Sequence, residues 1–68
     1  MLTFETATAY ALTKMAEWGV ASPVLASIVN AHTDGDCQPV ILADFVDANG
    51  DAFRWDIWLE NGAIYGEC

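Results

Sequence analysis

Basic residues are nearly missing from this chain. Lys14 and Arg54 are the two of them in 68 residues, beside a single histidine, His32. A surface this poor in cations excludes direct binding to nucleic acid or to anionic lipid, because both are polyanions and repel it. No apolar run approaches the ~18 residues of a membrane-spanning helix. The first basic residue is Lys14, so the positive start of a secretory signal is absent. Cysteine is scarce too. Without an export signal, Cys37 and Cys68 read as reduced thiols of a cytoplasmic protein, a single bridge between them being the alternative. There is no glycine-rich phosphate loop, no internal repeat and no low-complexity tract.

What is abundant is acid and apolar surface together. Ten acidic residues leave a net charge of −8, yet 54% of the chain is hydrophobic. A disordered acidic tail lacks that apolar content. The charge is lopsided. Asp34, Asp36, Asp44, Asp47, Asp51, Asp56, Glu60 and Glu67 face only Arg54 after residue 33. Self-repulsion of this size opposes compaction, so a fold that keeps it has a use for a negative surface. That use points to a partner that expects nucleic acid.

The length bounds the answer to one domain, 1–68, with a helical part at about 3–31 and a sheet part at about 40–67. Phe4, Ala7, Tyr10, Ala11, Met15 and Trp18 recur at three-and-four spacing, which predicts an amphipathic helix over Thr3–Trp18. Thr3 is its expected N-cap and Gly19 its stop. Ser22-Pro23 followed by Val24, Leu25, Ile28 and Val29 reads as a second, shorter helix, although the same run could make a strand. Asp34–Pro39 reads as loop. The remainder predicts a three-stranded antiparallel meander over 40–47, 52–60 and 63–67. The expected class is therefore α+β, one or two N-terminal helices packed on a three-stranded antiparallel β-meander.

The turns set the register of that meander. Asp47-Ala48-Asn49-Gly50 suits a type I turn closed by a left-handed Gly50, and Asn61-Gly62 a two-residue hairpin. A three-residue loop at 48–50 pairs Phe45 with Phe53, Ala43 with Trp55 and Ile41 with Ile57 on one face, and Asp44 with Arg54 on the other. A two-residue turn at Asn49-Gly50 would set Asp44 against Trp55 in the core, so that register is rejected. The second hairpin pairs Leu59 with Ile64 on the core side. Outside, it pairs Trp58 with Tyr65, Asp56 with Glu67 and Glu60 with Ala63.

The outer face is then an aromatic pair among acids. Asp56 and Glu67, ~5 Å apart, repel by about 0.8 kcal/mol in bulk water. The bland account is a solvated strand face. Tryptophan beside charge, however, is characteristic of binding hot spots. Expected partner-binding residues are Asp44, Asp47, Asp51, Asp56, Trp58, Glu60, Tyr65 and Glu67. A chain of this length is roughly 28 Å across, a span over which B-DNA holds about 16 phosphates. Eight net charges supply half that density, enough to imitate a short piece of DNA.

Other chemistry finds little support. His32, Asp34, Asp36 and Cys37 are all metal-ligand types, but no second ligand pair completes a zinc pattern. Asp47–Asp51 opens like a calcium loop, yet its glycine is fourth rather than sixth and Trp58 stands at the twelfth position. No serine or cysteine partners His32 at motif spacing. No metal, cofactor or enzymatic activity is expected.

Through its size, its charge and the segments DFVDANGD and RWDIWLENGAIYGEC, the chain resembles the small acidic anti-CRISPR proteins of phages and mobile elements. It is most similar to those directed at type I surveillance complexes, with type I-C the preferred subtype. The resemblance implies a DNA mimic that occupies a cationic DNA- or PAM-binding site on a Cascade subunit. It implies action in the cytoplasm of an infected or mobile-element-bearing bacterium, as a monomer rather than a homodimer. The alternative is a small interaction or structural module of a phage or plasmid, homodimeric through an outer sheet face carrying Val40, Leu42 and Val46.

Overall fold

The computed structural model describes residues 2–32 and 39–68, with the side chain of His32 excepted. The expectations for the Asp34–Gln38 loop, the His32/Cys37 ligands and a Cys37–Cys68 bridge fall outside the described residues. The chain order is α1 (Phe4–Glu17), β1 (Val24–His32), β2 (Pro39–Val46), β3 (Ala52–Glu60) and β4 (Ala63–Glu67). The four strands form one antiparallel sheet in the order β1-β2-β3-β4. The class is α+β.

Helix α1 begins and ends where its caps dictate. The Thr3 hydroxyl accepts from the Thr6 amide at 3.1 Å, and the Thr6 hydroxyl accepts from the Thr3 amide at 2.9 Å. This reciprocal box satisfies two otherwise orphaned donors. At the far end Gly19 takes φ +78°. The Val20 amide then reaches Met15 O at 3.0 Å and the Gly19 amide reaches Ala16 O at 3.1 Å. These two bonds are a Schellman closure, which needs a left-handed residue and hence glycine.

The segment expected as a second helix is strand β1, so the sheet has four strands rather than three and the described residues contain one helix. The cause is packing. Leu25 pairs with Phe45, Ile28 with Ala43 and Val29 with Leu42. Val24, Ile28 and Val29 are β-branched, stiff in a helix and well placed on a pleated surface. A bulge falls between Leu25 and Ser27. It shifts the alternation so that Leu25 and Ile28, three apart, both stand opposite core residues of β2. β2 starts at Pro39, one residue before the expected start of the strand.

Both expected hairpins form. Gly50 has φ +85°, and Asn61 and Gly62 have φ +52° and +81°. Pairing of Ile41, Ala43, Asp44 and Phe45 with Ile57, Trp55, Arg54 and Phe53 follows the expected register, as does Trp58 with Tyr65 and Asp56 with Glu67.

One face of the sheet packs on α1. Ala7, Ala11 and Met15 bury completely against Ile41, Ala43, Phe45, Trp55 and Ile57. The two alanines let the helix lie close to the strands. Trp55 is the central piece: Trp18 stacks on it with centroids 5.2 Å apart, and Tyr10 meets it edge-on at 6.1 Å. The ends of the helical stripe are less covered than its periodicity suggests, with Phe4 and Trp18 both exposed.

Candidate protein-binding surface

The other face of the sheet carries no helix among the described residues. Strand alternation fixes what points there. Ser27, Asp44 and Arg54 form one row across the strands, and Val29, Leu42, Asp56 and Glu67 the next. Ala31 pairs with Val40 and Trp58 with Tyr65 one step further along. The β1–β2 half is thus mainly apolar, with Val29 half-exposed. The β3–β4 half holds the acids and the aromatic pair. Trp58 is half-buried, Tyr65 exposed, and Asp56, Glu60 and Glu67 exposed.

The eight residues expected to act together divide into three groups. Asp44 is engaged within the sheet. Arg54 Nε donates to its Oδ1 at 2.9 Å, Arg54 to its Oδ2 at 3.3 Å, and Ser27 Oγ to Oδ2 at 3.0 Å. The Arg54 hydrogen bond, then that of Ser27, holds the Asp44 carboxyl below its ordinary range, while the same contact raises Arg54. Asp47 is a turn residue: its Oδ1 accepts from the Asn49 and Asp51 amides, both at 2.9 Å. This Asx-type closure satisfies the hairpin backbone. Asp51 stands at that same turn. It lies nine residues along β3 from Glu60, roughly 30 Å at strand rise.

The third group is compact. Asp56, Trp58 and Glu60 alternate along β3, opposite Glu67, Tyr65 and Ala63 on β4. Both basic side chains of the protein are occupied elsewhere. Arg54 holds Asp44, and the Lys14 ammonium lies 5.7 Å from the centroid of the Tyr10 ring. Among the described residues, no ion pair reaches Asp56, Glu60 or Glu67. Arg54 feels the Asp56 charge at a distance, but its contacts are with Asp44.

On the helix side, an open groove of about 620 Å³ runs between the C-terminal half of α1 and the β4 edge, lined by Tyr10, Lys14, Glu17, Trp18, Gly66 and Glu67. Cys68 also borders it, its thiol pushed up by burial, against which a hydrogen bond from the Arg54 backbone pulls down. Lys14 already covers the groove's tyrosine ring.

The sequence reading missed Val24 and Val29 as surface features, because a helix would have turned them elsewhere. The signal that could have found them was β-branching. Among the described residues, no helix is long and apolar enough to cross a membrane. Compared with models of protein families, with curated proteins and with solved structures, the chain matches none.

Proposed function

We propose that this protein is an inhibitor of the anti-CRISPR kind, an acidic decoy that occupies a cationic DNA- or PAM-binding site of a type I surveillance complex and blocks target DNA. Asp56, Glu60 and Glu67 stand in for phosphates. Trp58 and Tyr65 add the shape-specific contact that salt alone does not weaken. One observation carries the reading: three exposed acids, with no ion pair among the described residues, flank two aromatics on a sheet face that carries no described helix. Asp44 and Asp47, bound within the fold, drop out of the expected set, and Asp51 acts at most as a distant second contact.

The dimensions favour a short decoy. The longest extent is 36 Å, over which B-DNA carries roughly 21 phosphates. A net charge of −8 is well under half of that. The chain fits one lysine- or arginine-lined site and cannot stand in for a duplex.

The second reading, a module that dimerises through an outer face carrying Val40, Leu42 and Val46, loses Val40, which is buried, and gains the exposed Val29 beside Leu42 and Val46. Geometry weighs against it. A two-fold axis through the middle of the face sets β4 on the partner's β4 when it runs across the strands and on the partner's β1 when it runs along them. The first arrangement opposes like charges, and the second buries carboxylates against valine, which is costly without a partner ion.

The test is target-DNA binding by a purified type I complex, type I-C first, with increasing protein at low and high salt. The expected result is competitive loss of DNA binding that fades as salt rises. Asp56→Lys/Glu60→Lys, with its fold verified by circular dichroism, should lose inhibition. Inhibition retained by that folded variant refutes the assignment of these acids.

A further inference from the structure

We infer that the β1 edge is a pairing site for a second copy of this chain, joining two four-stranded sheets into one antiparallel sheet of eight. Among the described residues, β1 has β2 on one side and no strand on the other. Exposed edges invite pairing, and proteins usually block them with charge, proline, a bulge or a short strand. The opposite edge is blocked in this way, since β4 has five residues and carries Glu67. β1 is different: it runs nine residues, VLASIVNAH, without a charged side chain. Indeed the whole stretch from Trp18 to Thr33 is free of Asp, Glu, Lys and Arg. The single bulge lies near its start, between Leu25 and Ser27, and leaves Ser27–His32 paired in regular register with β2.

Charge selects the occupant. Two chains of net −8 repel wherever their acids approach, and the β1 edge is where they do not. The nearest acid on the sheet, Asp44, is already paired with Arg54. Asp56 and Glu60 lie on β3, two strand spacings or about 10 Å from β1. Their distance to a partner's acids then exceeds the ~8 Å screening length at physiological salt.

Symmetry restricts the register. Continuing the sheet in antiparallel sense needs a two-fold axis perpendicular to it, which keeps each face on its own side. Residues opposed across the axis must therefore share a face, so the axis passes through a residue. Centring on Val29 sets it against the partner's Val29, with Ser27 against the partner's Ala31 and Ile28 against the partner's Asn30. Val29 is 51% exposed in the single chain, and this pairing covers it. Both helices then lie on one face and both acidic clusters remain open on the other.

The test uses the purified chain alone, so its outcome is independent of the decoy reading. Sedimentation velocity from micromolar to near-millimolar concentration should show a monomer–dimer equilibrium. Val29→Lys and Val29→Asp should each weaken self-association by at least about tenfold, and mixing the two should restore a dimer. Val46→Lys, on the outer face but away from the axis, should leave association unchanged. In the unsubstituted chain, hydrogen exchange of β1 amides should slow with concentration while β4 amides do not change. A chain that stays monomeric throughout overturns the inference. So does a dimer that survives Val29→Lys, is lost in Val46→Lys, or leaves β1 exchange unaltered.

Discussion

Gly66 sits in β4 between Tyr65 and Glu67, and its missing side chain lets α1 close over the sheet. A Cβ added there would lie 2.8 Å from Tyr10 Cε1, 3.1 Å from Trp55 Cε3 and 3.3 Å from Ile57 Cγ1. Trp55 and Ile57 are fully buried and cannot yield. Tyr10 is partly exposed, so its ring is the group that moves, giving up its edge-on contact with Trp55. That contact is worth about 0.5–1.5 kcal/mol, and residual overpacking against the two buried side chains brings the cost to roughly 2 kcal/mol. Relief of glycine's unfolded-state entropy returns about 0.5 kcal/mol. Gly66→Ala should therefore destabilise by about 1.5 kcal/mol, a drop in Tm of roughly 6–12 °C for a chain this short. Thermal unfolding followed by tryptophan fluorescence measures it. In a Tyr10→Ala background the first clash is gone, and Gly66→Ala should cost less than half as much. An equal loss in both backgrounds would refute the role given to Tyr10, and an unchanged Tm would refute the close approach altogether.

Trp58→Ala should weaken binding to the surveillance complex by about 2 kcal/mol or more, while lowering Tm far less than Trp55→Ala, a core truncation worth about 3–5 kcal/mol. Equal melts for the two variants with unchanged affinity would make Trp58 a core residue instead. Asp44 bears on acid stability, because its folded carboxyl is held below the ordinary 3.8 by Arg54 and Ser27. A depressed acid contributes stability that is present above its unfolded value and lost as pH falls through the folded one. Asp44→Asn should thus flatten the acid limb of unfolding below pH 3.8; the pair is exposed, so the difference should be small and shrink in high salt. An acid limb unchanged at low salt would show that the pair adds no stability. Burial raises the Cys68 thiol above 9.0, leaving little thiolate at neutral pH. In a Cys37→Ser chain, iodoacetamide should therefore react more slowly with the folded protein than with the same chain unfolded in urea, and a faster reaction would contradict the shift.

Much of the sheet was legible because its signals were local and mutually consistent. Asn61-Gly62 and the Gly50 turn each imply one register, and in that register the apolar residues fall on one side and Asp44 meets Arg54. The division of the acids was not legible to the same degree. Strand alternation places Asp44 and Asp56 on the same face, yet one is held by a cation and a serine while the other is not. The Ser27 contact exists only because β1 lies beside β2. From the sequence Asp47 reads as surface charge, because its spacing to Asn49 and Asp51 says nothing of which backbone amides its carboxylate closes upon.

β1 shows how one bulge can change a functional argument. Leu25 and Ile28, three apart, have helical spacing, and a regular strand would send them to opposite faces. The extra residue near Ala26 sets both against core residues of β2, so a strand reproduces the periodicity of a helix. A helix there would have satisfied its own backbone and left β2 as the edge of a three-stranded sheet. As a strand, the same residues add a row to the sheet and move its edge outward. That edge is uncharged, whereas the rest of the chain is strongly acidic. The expectation of a monomer comes with the resemblance, and the net charge of −8 does not decide it, being an average over the molecule. Association depends on the charge where two copies meet, and along β1 there is none.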